Sequence, residues 1–282
     1  DKLFSKNDKP AFNQKDERFL KLKVALPFLS SKRLELGFGI AQIEDRYFQN
    51  NVIDFDKDKY DKSGYRLFGG SVSFNGSTLN SRQFPIQGAR EALVAQIFTG
   101  NESFRPGVNS ENKKPVKEKH SWLQLSYMKE KYHKMGANWI LGWYLDAVYA
   151  SKNFSENYTA TMMQASEFAP TAHSKLTYNE AFRANQYVAA GIRPIYRLNQ
   201  MFHVRGEFYG FLPIFPIERN SINKAYYGKA FSRFEYLGEI SVVCQLPFGA
   251  ISAYVNHYSS PRREWNVGLT LGWQLFNYRF IE

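Results

Sequence analysis

Between Trp265 and Leu275 the chain alternates without a break. Trp265, Val267, Leu269, Leu271, Trp273 and Leu275 fall on one face of an extended strand; Asn266, Gly268, Thr270, Gly272 and Gln274 fall on the other. Successive strand side chains point to opposite faces, so this segment separates two unlike surroundings. The pattern recurs. Leu20, Leu22, Val24, Leu26 and Phe28 oppose Lys21 and Lys23, and Leu34, Leu36, Phe38 and Ile40 oppose Glu35, Gly37 and Gly39. Trp139, Leu141, Trp143, Leu145 and Ala147 oppose Gly142, Tyr144 and Asp146, and Phe202, Val204 and Phe208 oppose His203, Arg205 and Glu207. A chain of this kind folds as an all-β protein built from antiparallel strands.

The polar face carries Gly, Ser, Tyr and isolated charges, while aromatic residues gather near strand ends. That distribution suits a transmembrane β-barrel with lipid outside and a polar lumen. A soluble barrel, with the apolar face as its core, is the competing reading of the same alternation. Composition removes other classes. With aromatics at 17 % and one Cys in 282 residues, the chain is neither disordered nor a disulfide scaffold. No apolar run reaches the length of a membrane-spanning helix. The net charge of +11 raises the question of nucleic acid. The lysines concentrate in the polar connectors 57–62 and 113–119, no nucleic-acid motif is present, and solvated connector charge is the expected reading.

Strands are predicted at 19–28, 32–44, 65–76, 89–99, 119–130, 138–149, 184–197, 200–212, 233–245, 248–258 and 264–276. The connections 29–31, 131–137, 198–199 and 246–247 are short, with 77–88 longer but punctuated by Pro85 and Gly88. The connections 45–64, 100–118, 150–183 and 213–232 are long and polar. Short periplasmic turns and long external loops are the habit of outer-membrane barrels, which places residue 282 on the periplasmic side. About 11–12 strands are expected in this chain, whereas single-chain bacterial barrels have even numbers. The chain opens on Asp1 with neither an initiator Met nor a signal peptide, so it reads as a processed or cut product. The expectation is that earlier strands of the barrel are missing from it.

Particular residues carry a resemblance. The run Asn75-Gly-Ser-Thr-Leu-Asn-Ser-Arg-Gln-Phe-Pro-Ile-Gln-Gly88 resembles the turn signature of the surface-antigen and barrel-assembly superfamily, through Asn80, Arg82, Pro85 and Gly88. Residues 97–107, Asn157-Tyr-Thr-Ala-Thr161, Phe182-Arg-Ala-Asn-Gln186, Asn256-His-Tyr-Ser-Ser-Pro261 and Leu275-Phe-Asn-Tyr-Arg-Phe280 extend it along the whole chain. Together they are similar to the C-terminal barrel of outer-membrane patatin-like phospholipases. Ile86 and Gln87 depart from that pattern, where Thr and Arg are usual. The resemblance implies a barrel of about sixteen strands in the bacterial outer membrane, with a patatin hydrolase domain encoded upstream. On this reading residues 1–282 are the N-terminally incomplete barrel domain, and the catalytic and periplasmic domains lie outside it. The partners are then outer-membrane lipid and the upstream hydrolase domain of the same protein, with self-association left open and nucleic acid not expected.

Catalysis of the patatin type needs a Ser on a Gly-x-Ser-x-Gly turn and an Asp partner. Gly69-Gly-Ser-Val-Ser73 lacks the last Gly and reads as small lumenal residues within a strand. His257 and Ser259 are the weak alternative, because residues two apart share a strand face and a Ser–His pair is the minimum for acyl transfer. That would make a barrel-wall phospholipase, but a turn pair before Pro261 is the simpler reading. Polar residues expected to face the lumen are Asp146, Arg193, Arg197, His203, Arg205, Glu207 and Glu239, either as a selectivity-setting lining or as a salt-bridged plug. The five histidines are scattered, so no metal and no cofactor is expected. A stand-alone porin or transport barrel remains a second functional reading.

Overall fold

The structure, a computed structural model, describes residues 13–29, 31–49, 59–108, 110–247, 249–260, 265–272 and 280–281. Eleven strands form one sheet: β1 (Asn13–Leu29), β2 (Lys32–Tyr47), β3 (Asp61–Ser77), β4 (Gly88–Arg105), β5 (Val116–Lys134), β6 (Trp139–Ala150), β7 (Gln186–Arg197), β8 (Phe202–Pro213), β9 (Glu235–Leu246), β10 (Gly249–Tyr258) and β11 (Trp265–Gly272). Each pairs antiparallel with its neighbour in sequence, in that order. β1 and β11 therefore run in the same sense. Among the described residues each has a single partner in the sheet.

Alternation decides which side chains meet which surroundings. Leu20, Leu22, Val24 and Leu26 of β1, Leu36, Phe38 and Ile40 of β2, and Trp265, Val267, Leu269 and Leu271 of β11 all stand outward and exposed, with Leu269 at 81 %. Opposite parity points inward: Glu35, Asp45, Gln96, His120, Arg193, Arg205 and Glu239 are buried. An apolar face turned out and a charged face turned in is the reverse of a water-soluble sandwich. The soluble reading of the alternation is thereby set aside. Trp273 and Gln274, expected outward and inward, lie outside the described residues. Gly70, read as lumenal, stands on the outward parity with open space around its Cα, whereas Gly69 packs inward against Phe98 and Phe280.

The long connection 150–183 differs from a solvated loop. It carries Phe154, Met162, Met163, Phe168 and Phe182, and such a segment buries itself where it can. It forms α1 (Tyr158–Gln164), capped by the Asn157 side chain, which accepts from the Ala160 N–H. A two-residue bridge joins Ser166–Glu167 to Arg183–Ala184. Met162, Met163, Phe168 and Phe182 are all buried, and Phe168 packs with Tyr187, Tyr209 and Phe211 of the wall. Polar contacts hold the segment as well: Asn157 donates to the Tyr47 hydroxyl at 2.7 Å, Gln164 to Asp45, and Ser155 meets Tyr65 at 2.8 Å. The lysine-rich connectors also differ from expectation. β3 begins at Asp61 and β5 at Val116, so Lys62, Lys117 and Lys119 stand on strands.

Candidate functional site

The turn 78–87 folds back into the lumen from the short-turn end. Asn80 Oδ1 accepts from the N–H groups of Ile86 and Gln87, both at 3.0 Å, and the Thr78 N–H donates to Ala89 O at 2.8 Å. Gly88 closes the loop at φ +94°, where a Cβ would stand 2.1 Å from Thr78 O, so only glycine fits. Those bonds project Phe84 and Pro85 inward. Phe84 is buried against Val243 and Ala250, and Ala172 of the 150–183 segment reaches the same cluster. Of the four turn residues, Asn80 and Gly88 thus shape the loop, Pro85 offers its carbonyl to the lumen, and Arg82 lines the same cavity as Arg205.

Beside that turn lies a chain of buried charges. Arg205 (β8) places Nε 2.6 Å from Glu207 Oε1, Nη1 donates to Pro85 O at 3.1 Å, and Nη2 lies 3.3 Å from the Tyr132 hydroxyl. Arg193 (β7) pairs with Glu130 (β5), lies 3.6 Å from Glu207, and donates to the Tyr209 hydroxyl at 2.6 Å. Its guanidinium sits 4.7 Å from the centre of the Tyr144 ring. Tyr209 in turn donates to Glu207. Gly191 makes room for this: a Cβ there would lie 2.1 Å from the Tyr209 ring. Two cations and two carboxylates are thus matched, with tyrosine hydroxyls taking up further valences.

The remaining polar residues spread out from this centre. Glu239 is buried directly opposite Glu207 in the β8–β9 register. His203 is buried one inward position below Arg205. Asp146 accepts from Tyr144 at 3.0 Å, higher on the wall. Arg197 stands apart at the strand end, donating to Ala137 O at 3.2 Å. The alternation does not single out Glu130 and Tyr132, which share the inward parity of the predicted strand 119–130 and its continuation. Their role depends on a partner about sixty residues away, a distance no local pattern encodes.

Near the long-loop end His120 Nε2 lies 2.8 Å from Glu102 Oε2, with both groups buried, and exposed Glu118 brings a third potential ligand within 4.8 Å. The wide spacing of the histidines hides this cluster. Lys152, just beyond β6, lies 4.6 Å from the Trp122 ring centre. Burial pushes its ammonium down to about 7, assisted by Lys15 and opposed by Glu102 and Asp45. His173, on the inserted segment, is likewise pushed down by burial, which favours a neutral ring; its Nδ1 lies 2.8 Å from the Asn256 amide.

His257 and Ser259 are not brought together for chemistry. His257 points outward, 5.0 Å from the Trp265 ring and 5.9 Å from Tyr236. β10 ends at Tyr258, and Ser259 is consumed by the loop: its hydroxyl donates to Glu235 and accepts from the Tyr236 N–H at 2.9 Å. Ser259 is thus held in a turn by Glu235 and the Tyr236 N–H, and His257 is turned away from it, so the Ser–His pair that acyl transfer needs is not formed. Phospholipid hydrolysis by this chain in vesicles is therefore expected at the protein-free background, and Ser259→Ala should leave it there. Release of fatty acid that vanishes in S259A would restore the barrel-wall enzyme.

These features define an outer-membrane β-barrel fold: an antiparallel wall, apolar without, charged within, short turns at one end and long connections at the other. A solved structure agrees. BamA from Haemophilus ducreyi lacking POTRA domains 1-3 matches with a TM-score of 0.52 and 13 % identity, over 94 % of this chain and 54 % of that one. The chain thus spans about half the length of that protein. At such identity the likeness speaks for the fold alone. BauA, the ferric preacinetobactin receptor from Acinetobacter baumannii, gives a TM-score of 0.44 at 8 % identity, over 87 % and 37 % of the two chains, and adds no further argument. No family model matches the sequence. No curated protein matches it either.

Proposed function

We propose that this chain is an anchoring barrel of the bacterial outer membrane, and that it seats or translocates a patatin-like hydrolase domain of the same polypeptide. The observation that carries the anchoring role is the filled lumen. The 150–183 segment enters from one end and the 78–87 turn from the other, and they meet at Phe84 and Ala172. Between them Arg193 on β7 pairs with Glu130 on β5 and lies 3.6 Å from Glu207 on β8, so one guanidinium cross-links three strands, and Arg205 also pairs with Glu207. A wall so braced holds a partner at the membrane without needing a pore. The hydrolase is suggested by the similarity of the 75–88 turn and the other quoted segments to barrels of patatin-like phospholipases. The domain limits follow the same proposal, with residues 1–282 as the barrel part of a longer protein.

The full-length protein tests this. It should fractionate with outer membranes, and phospholipase activity should leave the membrane when the barrel is severed from what precedes it. A preceding segment without a Gly-x-Ser-x-Gly strand–turn–helix would overturn the hydrolase half. In planar bilayers the purified protein should be electrically silent, and excising residues 156–182 should produce a steady conductance. Large steady conductance from the intact protein would favour the transport reading instead.

A further inference from the structure

Beyond the apolar belt, at the long-loop end, β2 to β5 carry a second pattern on their outward face. The register aligns Gln42, Arg66, Asn101 and Lys119 in one row and Glu44, Gly64, Ser103 and Lys117 in the next. Arg46, Lys62 and Arg105 form a third. The first row lies two residues, about 7 Å along the strand, past the belt residues Ile40 and Phe68. Gly64 and Ser103, side by side in the middle row, have little side chain. They floor a concavity of about 700 Å³ whose rim includes Arg66, Arg105, Lys117 and Lys119. All four are exposed.

Charge is left over at this place. The outward carboxylate of the concavity, Glu44, is already paired with Arg46 at 2.6 Å and Lys62 at 3.6 Å. Glu102 and Glu118 belong to the inward parity, with His120. Among the described residues Arg66, Arg105, Lys117 and Lys119 make no ion pair. The opposite edge of the wall is built differently: Lys32 and Lys129 both reach Glu91, at 3.6 and 3.3 Å. Lys117 and Lys119 stand two residues apart on β5, with Arg105 on β4 and Arg66 on β3, and among the described residues no carboxylate pairs with any of the four, so these like charges repel one another unless an anion joins them. Arg and Lys at a membrane border are the groups that take phosphate, and Arg does so through two parallel hydrogen bonds.

We propose that this basket binds a phosphorylated acyl glycolipid of the outer leaflet, its phosphates among Arg66, Arg105, Lys117 and Lys119 and its acyl chains along Ile40, Phe68 and Ile97. The proposal rests on the barrel standing in an outer membrane with its long loops outside. The anion and the acyl chains must arrive together, because the cations begin where the lipid-facing belt ends.

Full-length protein extracted from outer membranes in non-ionic detergent is titrated with lipid A, with enzymatically dephosphorylated lipid A, and with inorganic phosphate. Lipid A should bind, and rising salt should weaken it. In the triple variant Arg66→Gln, Arg105→Gln, Lys117→Gln its affinity should drop about tenfold or more. The single variants R66Q and K117Q should each show part of that loss, and Lys32→Gln with Lys129→Gln at the other edge should show none. Equal binding of the dephosphorylated lipid, unchanged affinity in the triple variant, or competition by inorganic phosphate at equal concentration would each overturn the proposal. Heat-dependent gel mobility reports whether each variant is a folded barrel. Absence of the wild-type protein from the outer-membrane fraction would remove the barrel assignment itself, a failure separate from lost lipid binding in a folded, correctly placed protein.

Discussion

Glu207→Ala is expected to destabilise the folded wall by about 3–5 kcal/mol, the usual cost of stranding a buried charge. Glu207 answers two guanidiniums, Arg205 at 2.6 Å and Arg193 at 3.6 Å, and accepts from Tyr209. Without it Arg193 keeps Glu130, but Arg205 keeps only the neutral oxygens of Pro85 and Tyr132. A urea series read by heat-dependent gel mobility would show the midpoint fall. Removing both partners, Arg205→Leu with Glu207→Leu, should recover much of the loss, since no bare charge remains. The coupling between the two sites should then reach about 1–3 kcal/mol. A loss below about 1 kcal/mol for E207A would mean that the pair is bathed in water, as exposed pairs are. The lumen would then be open, and transport would become the better account.

The wall was legible because lipid and lumen demand opposite chemistries of alternate residues. Wherever both demands act, as at Leu34–Ile40 against Glu35–Gly39, the pattern gives strand, face and register sense together. It fails where the contrast fades. Past Ile40 the outward residues are Gln42, Glu44 and Arg46, and the inward ones include Asp45. Polar residues on both faces look like a loop, yet backbone pairing continues to Tyr47. The same fading shortened the predicted ends of β1, β3, β4 and β5. It also put Lys62, Lys117 and Lys119 in connectors, which hid the cationic basket. The candidate site was half legible. Arg205 and Glu207 share a face by spacing alone. Glu130 reaches Arg193 only because β6 pairs with both β5 and β7, and Pro85 reaches Arg205 only through insertion of a turn. Apolar content offered one neglected signal: Met162, Met163, Phe168 and Phe182 are too many for a segment left in water.

Phe38→Arg separates the two surroundings that alternation alone left in competition. Phe38 is 69 % exposed on the outward face of β2, in the middle of the belt Leu34, Leu36, Phe38, Ile40, with Gly70 beside it on β3. If that face meets hydrocarbon, an arginine there must thin the bilayer or draw water inward, at a cost of about 2–4 kcal/mol near the midplane. The same charge at Gln42, two residues past the belt, should cost about 0–1 kcal/mol. Unfolding of the two variants in phospholipid vesicles should therefore differ by most of that gap, with F38R far less stable than Q42R. In water the order would not hold, because replacing an exposed Phe by Arg removes a solvent-facing apolar ring and costs little. Equal stability of the two variants in vesicles would place the Phe38 face outside the bilayer, and with it every outward residue that the register ties to Phe38, from Leu22 on β1 to Ile97 on β4.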